Sequence, residues 1–582
     1  MPLNTLPRSF DIHDIGKIAD DLFPFRNDAD EPTYNDGQRK CIVETVDAIA
    51  NNDYEHVIIE APTGVGKSII ARMIHMTLRK MHGDKTWRTT ITCPTKGLQD
   101  QYVREDSTIA NLKGKKNYQC LVNSKISYGH SKCIEALRSG KCKENQCPYF
   151  KARSKWLKFA QLRVTNTMLG ILLPVDKMIE DSAFSQLQIL DECHEVPNRI
   201  LDCSEVKFDA MRAYKLRDKG MIRGNDICDK INHLMRVLKE YPLATIVNVD
   251  EEIREACEDV VVIADDIIKT FQVLSKKKKL NANQKRSLDD IQSYLNAMVR
   301  HCNVITNPKL QDVIIQERTM DQVEVAGQMV DGHHMHSIVM KPLLPRDMVE
   351  EAVYDKHDHF VHMSATICGV DKYAETMGID KYFKVEIGNP IPIENRRITY
   401  LPVGRMSGKH LDSTKPKMLE AIDELIEEHI DDNGLIHTGS YKLAEYIKNF
   451  SKYKDRVHIG RDRKVTMAWL EHGAQEGNDP VVVVSPSMTT GYDLKGDLCR
   501  FMICAKIPFG YLGEPLIKYR ADNDSGSYGR ETILDVVQGA GRGVRGIDDY
   551  SAYYMLDESF DTLMKRNQKY FPQWFLDAID AE

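Results

Sequence analysis

Val57-Ile58-Ile59 runs into Ala61-Pro62-Thr63-Gly64-Val65-Gly66-Lys67-Ser68, and apolar residues resume at Ile69. That order predicts a β-strand, a glycine-rich turn and a helix, which commits this part of the chain to an α/β fold. The turn aims successive backbone N–H groups at one point beside a helix N-terminus, a nest for polyphosphate. Thr63, Gly64 and Gly66 shape the loop, Lys67 reaches the terminal phosphates, and the Ser68 hydroxyl is placed to ligate Mg²⁺. Ala61 stands where the strict pattern has glycine. The pattern implies a nucleoside triphosphatase.

The chain has 582 residues, too many for one core, and its length suggests about three to five domains. No apolar run approaches the roughly 18 residues that span a bilayer, so no membrane partner is expected. The first residues, Met1-Pro2-Leu3-Asn4-Thr5-Leu6-Pro7, have neither a basic nor an apolar region of a secretory signal. With 14 cysteines and no export signal, thiols or metal ligands are expected rather than disulfides, in a cytoplasmic enzyme. Net charge is −7, yet Lys113 to Arg163 holds thirteen Lys/Arg against Glu135 and Glu144, a local +11 that leaves −18 elsewhere. One basic segment on an acidic body fits a focused contact with a phosphate backbone, or simply a solvated face.

A phosphate loop needs an acid for Mg²⁺ and a group to activate water. Gln188-Ile189-Leu190-Asp191-Glu192-Cys193-His194 supplies both at the end of an apolar strand. Asp191 would hold the Mg²⁺ shell and Glu192 would orient or deprotonate the attacking water. Far downstream, Gln538-Gly539-Ala540-Gly541-Arg542-Gly543-Val544-Arg545 offers Arg542 and Arg545 three apart on an expected helix, one face of which could reach a phosphate from a second domain. Such arginines contribute about 10³–10⁵ in rate. Gln538 would position water or sense the γ-phosphate.

Asp-Glu-Cys-His resembles the DEAH box of superfamily 2 helicases, and other segments follow that family's order. Tyr34-Asn35-Asp36-Gly37-Gln38-Arg39 is similar to the upstream glutamine motif, which implies that Gln38 reads the adenine. Thr92 to Gln101 resembles the motif that touches the nucleic-acid backbone, Met363-Ser364-Ala365-Thr366 the motif coupling hydrolysis to motion, and Gly434 to Ser440 the opening of a second motor.

Cys120, Cys133, Cys142 and Cys147, spaced C-x12-C-x8-C-x4-C, could surround a [4Fe–4S] cluster or zinc, or remain core thiols, and spacing leaves the three open. A four-cysteine insertion here, ending Cys147-Pro148-Tyr149-Phe150, resembles the XPD/DinG family of iron–sulfur helicases, as do Val164 to Leu169, Ser485 to Asp497 and Ile507-Pro508-Phe509. The resemblance implies a [4Fe–4S] cluster on those cysteines, with Gly491 and Asp493 as further nucleotide-site residues. It implies 5′→3′ translocation on single-stranded DNA and unwinding of forked or overhang duplexes by a monomer. Cys193 and Thr490 depart from the family pattern. An RNA helicase and an ATP-switched nucleic-acid-binding subunit are the rival readings.

The expected architecture is two RecA-like motors, the first carrying an iron–sulfur insertion and a helical arch. The first motor takes residues 1–111, 160–204 and 337–375, the cluster domain 112–159, the arch 205–336 and the second motor 376–582. Three apolar stripes support helices in the arch: Ile227 to Leu238, Ile253 to Leu274 and Leu288 to Cys302, each at three- and four-residue spacing. Within the basic segment, Tyr118, Tyr128, Tyr149, Trp156 and Phe159 could stack on bases, although each is more often a core residue. The Lys276–Lys279 run reads as a solvated loop, with a DNA contact as the alternative.

Overall fold

In the computed structural model of the chain, described residues are 10–83, 87–121, 125, 142–143, 146–173, 184–218, 223–277, 282–325, 328–486, 494–544 and 546–581. Strand β1 (His56–Glu60) leads into the phosphate loop and the helix Lys67–Met81. β2 (Thr89–Cys93), β3 (Ala110–Leu112), β4 (Leu162–Asn166) and β5 (Leu187–Asp191) follow. β3 and β4 are parallel neighbours, so the four-cysteine tract is a long connection leaving and re-entering one sheet edge.

After β5 the chain departs again. β6 (Val206–Asp209), β7 (Ile246–Asn248), β8 (Asp312–Val325) and β9 (Gln328–Pro342) form a separate antiparallel sheet in the order β6-β9-β8-β7. The helices Gly224–Lys239, Glu251–Lys277 and Ala282–Thr306 pack with it into one core, burying Ile231, Leu234, Cys257, Val260, Leu295 and Cys302 beside Val313 and Ile338. The three apolar stripes are helices as expected. The inserted body is not purely helical, however, because a long hairpin closes it, and β9 runs past residue 336 to Pro342.

β10 (His359–Ser364) then re-enters the first sheet between β1 and β5, and β11 (Tyr382–Glu386) pairs with the outer edge of β1. The result is seven parallel strands in the order β11-β1-β10-β5-β2-β4-β3. The expected boundary at residue 375 is therefore too early: β11 buries Val385 and completes the first sheet. Adjacent residues of one strand serve opposite faces, Ile58 joining the core shared with the insertion and Val57 and Ile59 the other. Such double burial is characteristic of parallel sheets with helices on both sides.

β12 (Ile398–Gly404), β13 (Gly434–His437), β14 (Val457–Ile459), β15 (Val482–Ser485), β16 (Phe501–Cys504), β17 (Ala552–Asp557) and β18 (Ile579–Ala581) build a second parallel sheet, ordered β14-β15-β13-β16-β17-β12-β18. Val483 and Met502 bury on one face of it, and Val484 and Ile503 on the other. No helix among the described residues is long and apolar enough to cross a membrane.

Candidate active site

The phosphate loop is fixed at both ends. Ala61 N–H donates to Ser364 O at 2.8 Å, tying the loop's start to β10, and Gly66 begins the helix at φ +84°. A Cβ on Gly66 would stand 2.8 Å from Gln38 Nε2 as well as in a left-handed backbone, so glycine is required twice over. Gly64, at φ +89°, gives the turn its other left-handed residue, next to half-buried Thr63. Gln38 is buried, donates to Val65 O at 2.9 Å and accepts from Asn35 N–H at 3.1 Å. The glutamine motif thus braces the loop here, with the Gln38 amide turned inward.

Lys67 Nζ lies 4.0 Å from Glu192 Oε1 and 3.5 Å from Ala61 O. The Ser68 hydroxyl donates to Glu105 Oε1 at 3.3 Å. β5 delivers Asp191 buried, its Oδ1 accepting from Glu192 N–H at 3.1 Å and its Oδ2 from the Tyr102 hydroxyl at 2.9 Å. Burial and the adjacent Glu192 carboxylate push Asp191 up to about 7, against the pull of Lys67. Burial also opposes ionisation of Glu192, but Lys67 and the Ser364 hydroxyl pull the other way, and Glu192 is held below the usual carboxylate range. The two neighbouring acids are thus shifted in opposite directions, Asp191 up and Glu192 down.

One hydrogen-bonded chain crosses from the second sheet's domain to this site. Gln538 Nε2–H donates to His194 Nε2 at 2.6 Å, His194 Nδ1–H to Ser364 Oγ at 2.8 Å, and Ser364 O–H to Glu192 Oε2 at 3.1 Å. Only a neutral histidine protonated on Nδ1 satisfies all three bonds. Burial holds His194 below its ordinary value and so keeps it neutral. Nearby, buried Arg530 Nη2 donates to Ile367 O at 2.8 Å, just beyond the Ser-Ala-Thr segment.

The helix Ser527–Ala540 carries Gln538 but stops there, capped by Gly541. Arg542 therefore lies beyond the helix, not on its face, because the glycines after Gln538 end the regular backbone; it lines a small cavity with His437, Asp535 and Gly539. Its charge still reaches far enough to lower Glu192. Arg545, Gly491, Asp493 and Thr490 fall outside the described residues.

Residues 31–215 match the family model described as type III restriction enzyme, res subunit, and residues 417–578 the helicase C-terminal domain. The chain is 21% identical over 601 residues to the ATP-dependent DNA helicase YoaA of Haemophilus influenzae, with 88% of each covered. It superposes on a solved XPD helicase at a TM-score of 0.54 (13% identity, 94% of this chain and 100% of the other). The S. tokodaii Xpd4 structure follows at 0.51 (13% identity, 94% and 99%). In sequence and fold the chain is similar to XPD/DinG-like superfamily 2 helicases.

Three thiols of the cysteine tract, Cys120, Cys142 and Cys147, are buried side chains. Burial, then Cys147 and Cys120, push the Cys142 thiol up, so the three sulfurs sense one another. Thiols gathered in this way suit a cluster or zinc by donor chemistry. No group of three or more His, Cys, Asp or Glu among the described residues is arranged to hold a metal ion, and Cys133 lies outside them. Of the aromatics in the basic segment, Trp156 is core, donating Nε1–H to Val164 O at 3.1 Å. Tyr118 and Tyr149 pack edge-on at 5.5 Å, Tyr128 lies outside the described residues, and Phe159 is 75% exposed. Arg163, counted among the basic residues, is buried against Trp156 and bonded to Thr90 Oγ1 at 2.8 Å. Lys276 and Lys277, read as part of a loop, are the last residues of the helix Glu251–Lys277, and Lys278 and Lys279 lie outside the described residues.

Sequence reading missed Tyr102 and Arg530. Tyr102 carried a signal, since it follows Gln99 by three on the helix Lys96–Glu105, a spacing that puts both on one buried face. Arg530 carried none, because its partners are 163 and 157 positions away.

Proposed function

We propose that the chain is an ATP-dependent DNA helicase that moves 5′→3′ along single-stranded DNA and separates the duplex ahead of it. The observation that carries this reading is the Gln538–His194–Ser364–Glu192 chain, through which the hydrolytic acid feels the second motor. Ser68 and Asp191 would hold Mg²⁺, which offsets phosphate charge. Lys67 neutralises the phosphates, Glu192 orients the attacking water, and Arg542 with Arg545 adds positive charge as the transition state forms. Gly491 and Asp493 complete the second motor's wall. When the site closes, Gln538 presses on His194; after hydrolysis the contact loosens, and the two sheets step relative to each other on the strand.

DNA as the substrate is supported by the name of the Haemophilus relative and by the basic tract. Exposed Phe159 offers a ring for stacking on a base. Cys120, Cys133, Cys142 and Cys147 would hold a [4Fe–4S] cluster whose contribution is to stiffen that tract. The enzyme works as a monomer on overhang or forked duplexes.

Strand displacement on two partial duplexes, alike except for a 5′ or a 3′ overhang, tests the reading with ATP and Mg²⁺. Unwinding from the 5′ overhang alone is expected. Unwinding from the 3′ side reverses the proposed polarity. Activity on RNA alone replaces DNA as substrate, and tight ATP-dependent binding without strand separation converts the motor into a switch.

A further inference from the structure

The helix Lys96–Glu105 touches the active site at one end and the nucleic-acid motif at the other. At its C-terminal end two residues three apart reach different Mg²⁺-site groups. Buried Tyr102 donates its hydroxyl to Asp191 Oδ2 at 2.9 Å, and Glu105 Oε1 accepts the Ser68 hydroxyl proton at 3.3 Å. Gln101 Nε2 holds the same Glu105 oxygen at 3.0 Å. One turn earlier, Gln99 donates to Asn111 Oδ1 and Leu112 O at 3.1 and 3.2 Å, and Asp100 pairs with Lys113 at 2.5 Å. Those partners stand where the four-cysteine tract leaves β3. The N-terminal end, Thr95-Lys96-Gly97, is exposed, with Thr95 Oγ1 capping Leu98 N–H.

These contacts have a shared chemical effect. A hydroxyl that gives its proton to Glu105 keeps its oxygen lone pairs for a cation. A carboxylate gripped at Oδ2 by a buried phenol cannot rotate away from the phosphate loop. Resting on the helicase reading above, we infer that Tyr102 and Glu105 are positioning residues for the Mg²⁺ shell, and that their helix transmits occupancy of the nucleic-acid side to the metal. A shift of the helix along its axis moves both contacts together, because it is a single rigid element ten residues long. Groups that orient metal ligands typically alter metal affinity by about 10–100-fold when removed.

The test measures Mn²⁺ binding to the ADP complex by electron paramagnetic resonance, with and without a single-stranded oligonucleotide. In the parent protein the strand is expected to tighten Mn²⁺ binding. Tyr102→Phe and Glu105→Ala should each weaken Mn²⁺ binding by about tenfold and shrink the response to the strand, while Glu105→Gln, which retains an acceptor oxygen, recovers most of the affinity. Unchanged Mn²⁺ affinity and unchanged strand response in both Tyr102→Phe and Glu105→Ala overturn the inference. Should Tyr102→Phe fail to fold, exposed Glu105 still decides the matter by the same measurement. A parent protein that binds no strand at all would instead overturn the helicase reading, a failure visible before any variant is made.

Discussion

Arg530 reaches out of the second motor, 5% exposed, and supplies a donor to Ile367 O while its guanidinium faces the Tyr373 ring at 5.9 Å. Tyr373 in turn partners His362 Nδ1 at 3.0 Å and the thiol of Cys193, the residue that departs from the family box. Arg530→Met retains bulk but leaves a buried carbonyl without its donor, at a cost of about 1–3 kcal/mol that urea denaturation will show. Gln538→Ala removes the first bond of the relay to Glu192, and turnover should fall by roughly 10²-fold with nucleotide binding retained, as single-turnover ATPase and a fluorescent nucleotide can separate. Four buried histidines set the acid limit of the fold. Burial lowers His56 to about 4, His75 and His357 to about 3, and His362 well below its ordinary value. They are neutral when folded but bind protons near pH 6.5 when unfolded, so their effect is absent above about pH 7. As pH falls from 6.5 towards 4, each removes up to about 1.4 kcal/mol of stability per pH unit. Melting temperature should drop steeply between pH 7 and 5, and a flat profile would contradict this account.

Among the elements, β13 and β16 approach so closely that a Cβ on Gly434 would lie 2.2–2.6 Å from the Phe501 ring. Gly434→Ala forces that ring from its place and should cost about 1–3 kcal/mol in chemical denaturation. The helix Pro515–Asn523 joins the second motor to the insertion: Leu516 packs on Ile314 and Leu343, and Tyr519 donates to Asp312 Oδ2 at 3.2 Å. Elements of this kind mark the limit of what the sequence discloses. β1 with its loop, β5 with Asp191, and the three helices of the insertion were legible, because a strand's apolar run and a helix's three-and-four spacing are written in neighbouring residues. β8 was not, since Gln316, Glu317, Arg318, Asp321 and Gln322 interrupt its apolar alternation and only the β9 pairing makes it a strand. Arg542 was placed on a helix from spacing alone, whereas the glycines around it end that helix one turn too soon. Tyr102 stands one residue beyond the segment read for its nucleic-acid motif, and its acid partner lies 89 residues away.

At the scale of the molecule, the two sheets meet through several buried contacts besides the catalytic relay. Lys372, 6% exposed, pairs with Asp524 of the second motor, and the Tyr570 ring lies against Gly369 and Gly526, both at positive φ. Removing Asp524 would leave the Lys372 ammonium to Glu375 alone, whose Oε1 lies 2.8 Å from Nζ, and so loosen the contact between the motors. The cysteine tract sits at the opposite edge of the first sheet, beyond β3 and β4, so its loss should separate unwinding from hydrolysis. If the tract holds the proposed cluster, Cys133→Ser is expected to bleach its visible absorption and abolish strand separation while strand-stimulated ATPase largely persists; undiminished unwinding would refute that role.

The place of β10 bears on how this protein is made. It lies between β1 and β5, so the lysine and the acids of the site remain one strand-width apart until residue 364 has joined them. A ribosome releasing the chain in order exposes two unsatisfied inner edges for some 170 residues of synthesis, while the inserted body assembles outside them. Unpaired edges of this kind invite pairing with other chains. Nascent chains stalled before β10 should therefore bind no nucleotide and depend on chaperones, and release shortly after β11 should restore binding in a single step.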